Sequence, residues 1–139
     1  MAEFNYEVEM DVRFRDIDAM GHVNNAVYST YLEQARVEYI SDVIGEQIFE
    51  GTGVVIADLH IDFERPIEYE ESVVITVRAG ELGSSSIPIE HEIRADGEVV
   101  ATAKTLMVTI DRETGASCSM PDRWRERIDA HEGRQGTGE

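Results

Sequence analysis

The apolar residues of this chain change period twice, and that change limits the folds open to it. From Tyr6 to Phe14 they alternate. Tyr6, Val8, Met10, Val12 and Phe14 share one face, and Glu7, Glu9, Asp11 and Arg13 the other, as in a half-buried strand. From Ala26 to Ile44 the period lengthens. Val27, Tyr28, Tyr31, Leu32, Ala35, Tyr39, Val43 and Ile44 recur at three- and four-residue steps, the stripe of one amphipathic helix about five turns long. Asn24 or Asn25 supplies the N-cap and Gly45 the stop.

Alternation then returns. Ala57, Leu59, Ile61 and Phe63 oppose Asp58, His60, Asp62 and Glu64, and Arg65-Pro66 ends that strand. Val73–Leu82 is a third strand, followed by a turn at Gly83 and the serines Ser84, Ser85 and Ser86. Ile87–Ala95 is a fourth, where Pro88 predicts an edge or a bulge near its start. Asp96-Gly97 marks a two-residue hairpin turn. Glu98–Ile110 is a fifth strand, apolar on both faces and so central. From Asp111 onward the chain is polar, with a short helix expected between Pro121 and His131 and disorder in the last eight residues. No internal repeat is visible. One long helix and an antiparallel sheet bury their apolar faces against each other, an α+β arrangement in two layers.

Charge narrows the functions. The chain of 139 residues has 29 acidic against 12 basic side chains, a formal net charge of -17. The acids are spread along the whole chain, and Lys104 is the sole lysine. Such a surface excludes nucleic acid as a partner, since phosphates are bound by basic surfaces. It fits a protein of a salt-loving organism, because at about 1 M salt the screening length falls to about 3 Å and acidic self-repulsion is tolerable. No apolar run of about 18 residues predicts a membrane span. The N-terminus lacks the pattern of a signal peptide, so a cytoplasmic protein is expected. The single cysteine, Cys118, allows no internal disulfide and has no local partner for nucleophilic chemistry. The histidines His60, His91 and His131 share no ligand spacing, so no metal site is expected.

The densest polar chemistry is "DIDAMGHVNN", Asp16 to Asn25, directly ahead of the helix. A helix start offers unpaired N–H groups and the positive end of the dipole. It therefore binds an anion, or a carbonyl oxygen on its way to becoming one. Gly21 lets backbone approach a ligand closely. Asp18 places a carboxylate nearby that is able to attack or to take a proton from water. That combination suits acyl transfer or hydrolysis.

"VRFRDIDAMGHVNNAVYSTYLEQARVEYI", Val12 to Ile40, resembles the acyl-CoA thioesterases of the hotdog superfamily, in its 4-hydroxybenzoyl-CoA thioesterase-like branch. The likeness continues through "FERPIEYEESVVI" and "DGEVVATAKTLMVTID" and covers roughly Tyr6 to Asp111. It implies a hotdog fold, a curved five-stranded antiparallel sheet wrapped around one long central helix. The whole chain would form one such domain, with a core of about residues 6–111 and a polar C-terminal tail over residues 112–139. It implies acyl-CoA hydrolysis to free acid and CoA without a cofactor, in a homodimer or a tetramer of dimers with sites at the subunit interface. The catalytic carboxylate lands on Asp18, as nucleophile or as general base, with His22 beside it and the Asn25 N–H polarising the thioester carbonyl. The substrate-binding residues expected with them are Gly21, Val23, Asn24, Tyr28, Arg65, Ser85 and Lys104. Plant acyl-carrier-protein thioesterases carry a similar segment, with their Asp and His at the positions of Asp18 and His22. Their first Asn falls on Met20, so that amide is absent here.

Plainer roles compete for several of these residues. Asp16 reads as a turn former, a role also open to Asp18; Asn24 and Asn25 read as structural through their side chains, and the helix tyrosines as core. His22 reads equally as a cap or packing residue. Two other activities also fit: a hotdog enoyl-acyl hydratase or dehydratase, and a non-catalytic acyl-CoA-binding protein. The CoA phosphates would need cations, for which Arg65, Arg94, Lys104 and Arg112 are available.

Overall fold

A computed structural model describes residues 4–45 and 51–134. The element order is β1 (Glu7–Met10), α1 (Asn25–Tyr39), β2 (Thr52–Phe63), β3 (Val73–Thr76), β4 (Arg78–Ala79), β5 (Ser86–Ala95), β6 (Glu98–Asp111) and α2 (Asp122–His131). All strand pairs are antiparallel, in the order β1-β3-β5-β6-β2, with β4 also on β5. The α+β hotdog arrangement expected from the sequence is the one observed. The sheet has six strands rather than five, because the expected Val73–Leu82 strand breaks at Val77 into β3 and β4.

Helix α1 lies against β1 and β3. Tyr28, Tyr31, Leu32, Ala35 and Tyr39 are buried beneath it, the apolar stripe read from the sequence. The regular helix ends at Tyr39. A π-helical turn, Ile40–Ile44, completes the run to Gly45, which stops it with φ 77°. The extra residue in that turn keeps both Ile40 and Ile44 in the core. Alternating residues Ile87, Ile89, Ile93 and Ala95 of β5, and Ala101, Ala103 and Met107 of β6, form the floor. The Asp96-Gly97 hairpin has φ 50° and 82° at its two positions, the left-handed pair that a two-residue turn requires. Pro88 sits in an inner strand, but its carbonyl receives Gly80 N–H just past the end of β4. Its missing N–H therefore faces the side where the neighbouring strand has ended.

Three expectations fail for physical reasons. The first strand stops at Met10, and Phe14 lies in a 3-10 turn, Phe14–Asp16, at 76% exposure. Asp16 causes this turn: its carboxylate accepts from Arg13 N at 2.9 Å and from Tyr31 Oη at 2.7 Å, closing the backbone early. Second, the apolar face of β2 is not core. A bulge at Ala57 resets the alternation, and Ile56, Leu59 and Phe63 are 44%, 39% and 47% exposed. Helix α1 lies over β1 and β3 on this same face and leaves the strip along β2 largely bare.

Third, the polar segment after Asp111 is not a tail. Met120, Trp124 and Ile128 lie in the main core. Glu132 accepts from Tyr39 Oη at 2.6 Å and from Ala79 N at 3.0 Å, and Arg134 donates to the Ala79 and Gly80 carbonyls. The disorder expected from residue 132 onward does not hold for Glu132–Arg134, and residues 135–139 lie outside the described set. A lone Trp in a charged helix is a weak periodic signal, and it is this ring that fastens α2. Trp124→Ala is expected to cost about 3–5 kcal/mol, read as a lower urea midpoint. An unchanged midpoint would return α2 to the status of an appendage.

Candidate active site

The Asp16–Asn25 segment is a small closed loop set on the start of α1. Ile17 pairs with Val23, and Asp18 N–H donates to the His22 carbonyl at 2.7 Å. Gly21 turns the chain at φ 82° and donates to the Asp18 carbonyl at 3.0 Å. A side chain at that φ would be strained. Asn24 N–H donates to the Asp16 carbonyl, and Val23 N–H to the Ile67 carbonyl, both at 2.8 Å. The loop is thereby tied both to its own base and to the segment after β2, where His22 bridges Glu68.

Within this frame the Asp18 carboxylate is held by one oxygen. Its Oδ1 accepts from Met20 N at 2.9 Å and from His22 N at 3.2 Å. Its Oδ2 has no partner among the described residues, and the residue is exposed. The carboxylate is thus oriented while keeping one oxygen free for chemistry.

Asn24 is the N-cap of α1: its Oδ1 accepts from Ala26 N at 2.9 Å. Its carbonyl accepts from Val27 N at 2.8 Å. The N–H of Asn25, the first helical residue, makes no hydrogen bond among the described residues. It is an open donor at the positive end of the helix dipole. Tyr28, one turn on, is 1% exposed, bonds the Ile67 backbone and meets Phe63 edge-on at 4.9 Å. Burial pushes its hydroxyl above tyrosine's usual range, so it acts as a neutral wall. Phe14 and Tyr69 stack edge-on at 6.3 Å, and with Met20 at 77% exposure they make an apolar rim around the loop. The sequence reading did not single out this rim.

The remaining expected residues divide. Val23 is core, 3% exposed. Arg65 stands near Tyr28, but its guanidinium is fully committed. It pairs with Glu71 through two bonds of 2.9 and 2.8 Å and with Glu98 at 2.6 Å, and also donates to the Pro66 and Ala95 carbonyls. These contacts use all five donors and leave none for a phosphate. Arg94 is likewise paired, with Glu92 and Glu7. Ser85 lies at the far end of the sheet, where its carbonyl accepts from Thr109. Eight positions along β6 separate Thr109 from Ala101, the residue opposite Phe63, roughly 26 Å of strand. Lys104 is exposed on the sheet face turned away from α1 and has no ion-pair partner among the described residues. Within one chain, neither Ser85 nor Lys104 joins the loop. No three His, Cys, Asp or Glu side chains converge as metal ligands among the described residues.

Residues 12–128 match the thioesterase-like superfamily. The chain belongs to that superfamily. It is similar to a thioesterase of Thermus thermophilus, whose crystal structure contains coenzyme A and Zn. The two share 40% identity at a TM-score of 0.88 over 97% of this chain and 99% of the other. It is 28% identical to the long-chain acyl-CoA thioesterase FadM of Escherichia coli, over 88% of this chain and 96% of FadM. It is 25% identical to a 1,4-dihydroxy-2-naphthoyl-CoA hydrolase of Synechococcus elongatus, over 88% and 93% of the two chains. This thioesterase therefore shares its fold and the greater part of its length with enzymes that cleave thioesters. No helix among the described residues is long and apolar enough to cross a membrane.

Proposed function

We propose that the enzyme hydrolyses acyl-CoA thioesters, with Asp18 as the reacting carboxylate and the Asn25 N–H as the oxyanion donor. The observation that carries this reading is the open Asn25 N–H. Its neighbours Ala26 and Val27 have their N–H groups taken up by Asn24, so α1 presents a single unused donor beside a carboxylate with one free oxygen. A thioester carbonyl is activated because sulfur overlaps it poorly. Polarisation by a fixed N–H and attack assisted by a carboxylate then suffice. Asp18 Oδ2 either attacks the carbonyl carbon, expelling the CoA thiolate and leaving an acyl anhydride for water to cleave, or takes a proton from the attacking water. Both routes consume one water and give the free acid and CoA thiol. The named acyl-CoA substrates of FadM and the Synechococcus hydrolase, and the CoA in the Thermus structure, support this substrate class.

The same reading makes the enzyme a homodimer. Strand β2 ends the sheet with a free edge twelve residues long, and its inner apolar strip is bare. Such an edge is protected by pairing with another.

The test is a thiol-release screen over short, branched, aromatic and long acyl-CoAs, with acyl-carrier-protein thioesters as a second arm, in about 1 M KCl. CoA release from at least one ester is the expected result. Hydration of crotonyl-CoA without thiol release would assign a hydratase. Binding without either reaction would assign a non-catalytic acyl-CoA-binding protein.

A further inference from the structure

Arg36 is a charge buried on the underside of α1 that the chemistry above does not use. It is 6% exposed and continues the i, i+4 series Tyr28, Leu32, Arg36. Its guanidinium reaches β6, where Nη1 donates to Thr105 Oγ1 at 3.4 Å, a long bond. It makes no other hydrogen bond and no ion pair among the described residues. Burial pulls the guanidinium below arginine's usual range, and Glu33 opposes that only through its distant charge. A guanidinium carries five donors, and a buried charge left without a counter-charge is strongly destabilising.

Glu33 stands three residues earlier on the same flank of α1. It is exposed and makes no hydrogen bond or ion pair among the described residues. The two halves of an ion pair are thus present, and the chain does not close them on itself. The flank they share overlooks the bare strip. Thr105, which holds Arg36, is the register partner of Leu59 in β2, and Leu59 is 39% exposed. The packed core therefore ends at Arg36, and uncovered apolar surface begins beside it.

We infer that Arg36 takes its counter-charge from Glu33 of the partner subunit, in a two-fold dimer where each α1 flank covers the other. A two-fold interface is self-complementary, so one Arg36–Glu33 contact implies its mirror and the pair occurs twice. The helical run Asn25–Ile44 is centred midway between residues 33 and 36. Antiparallel pairing of two runs about that centre sets 33 against 36 in both directions. Two copies of net charge -17 repel at long range, which gives a local neutralisation at the centre of the interface its value for specificity. This inference rests on the dimeric reading given above.

Sedimentation equilibrium in about 1 M KCl tests it with wild type, Glu33→Gln, Arg36→Met and the exchange variant Glu33→Arg/Arg36→Glu. Circular dichroism reports the fold of each. Glu33 is exposed, so Glu33→Gln keeps the test valid even where Arg36→Met fails to fold. Wild type is expected as a dimer. Each single substitution should raise the dissociation constant by about tenfold or more, and the exchange should recover most of that loss. A dimeric wild type with Glu33→Gln associating as tightly, or an exchange variant as weak as the single ones, would overturn the contact while leaving the dimer standing. A monomeric wild type would remove the dimer and the contact together. Unchanged association in Arg36→Met with a raised KM for acyl-CoA would also overturn it, and would assign the guanidinium to the substrate.

Discussion

Asp18→Asn lowers turnover by a factor of at least about 10², the share that a positioned acid, base or nucleophile supplies, while the fold survives. Survival follows from how the carboxylate is held. Oδ1 alone accepts the Met20 and His22 loop N–H groups, and an amide oxygen in its place accepts both. What changes is the free oxygen, which becomes an NH2 group that neither attacks a carbonyl nor takes a proton. Thiol release and a thermal melt on the same preparation measure the two halves of the expectation. Turnover close to wild type would remove Asp18 from the mechanism. Asp16→Asn provides the contrast. Asp16 is 8% exposed and accepts from Arg13 N and Tyr31 Oη, so its loss weakens the fold by about 1–3 kcal/mol and touches the chemistry only through it.

Asn25→Pro is the second large expectation, and it isolates a single hydrogen atom. Proline has no N–H, and the first helical position is the one place in a helix where that costs nothing. The Asn25 N–H has no partner among the described residues. Asn24 already has φ -60° and ψ 135°, the extended conformation that a following proline demands. The helix should therefore melt at the wild-type temperature or slightly above it. Turnover should fall by about 10²–10³, the loss seen when one oxyanion donor is removed. Asn25→Ala keeps the N–H and discards the side chain, so it should stay within a few-fold of wild type. Full activity in the proline variant, or equal losses in both, would place the oxyanion donor elsewhere.

The elements legible in the sequence were those whose period and caps agree. The α1 stripe, Gly45 and Asp96-Gly97 are local signals, and the structure keeps them. Of the two candidate caps, Asn24 is the one that bonds the helix backbone. What the sequence hid depends on contacts distant along the chain. Phe14 continued the alternation of β1, but Asp16 and Tyr31 bend the backbone before it can pair. Leu59 and Phe63 alternated like core residues, yet α1 lies over β1 and β3 and leaves both partly uncovered, although Phe63 meets Tyr28. Trp124 and Glu132 belonged to a stretch too polar to announce burial, and the partners of Glu132 are Tyr39 and the end of β4. For the candidate site, position was legible and availability was not. Motif spacing placed Asp18 and Asn25 at the helix start, but only the bonding pattern reveals which oxygen and which N–H remain open. Arg36 did leave a trace, a charge within an apolar i, i+4 series.

The saturated guanidinium of Arg65 has a mechanical meaning. It clasps Glu71, Glu98 and the Ala95 carbonyl at once, and so rivets the segment after β2 to the β5–β6 hairpin. That segment carries Ile67, the acceptor for Val23 N–H and the backbone partner of Tyr28. The wall behind the helix start is therefore set when the chain folds rather than when substrate arrives. Such a wall spends no binding energy on being rebuilt at each turnover.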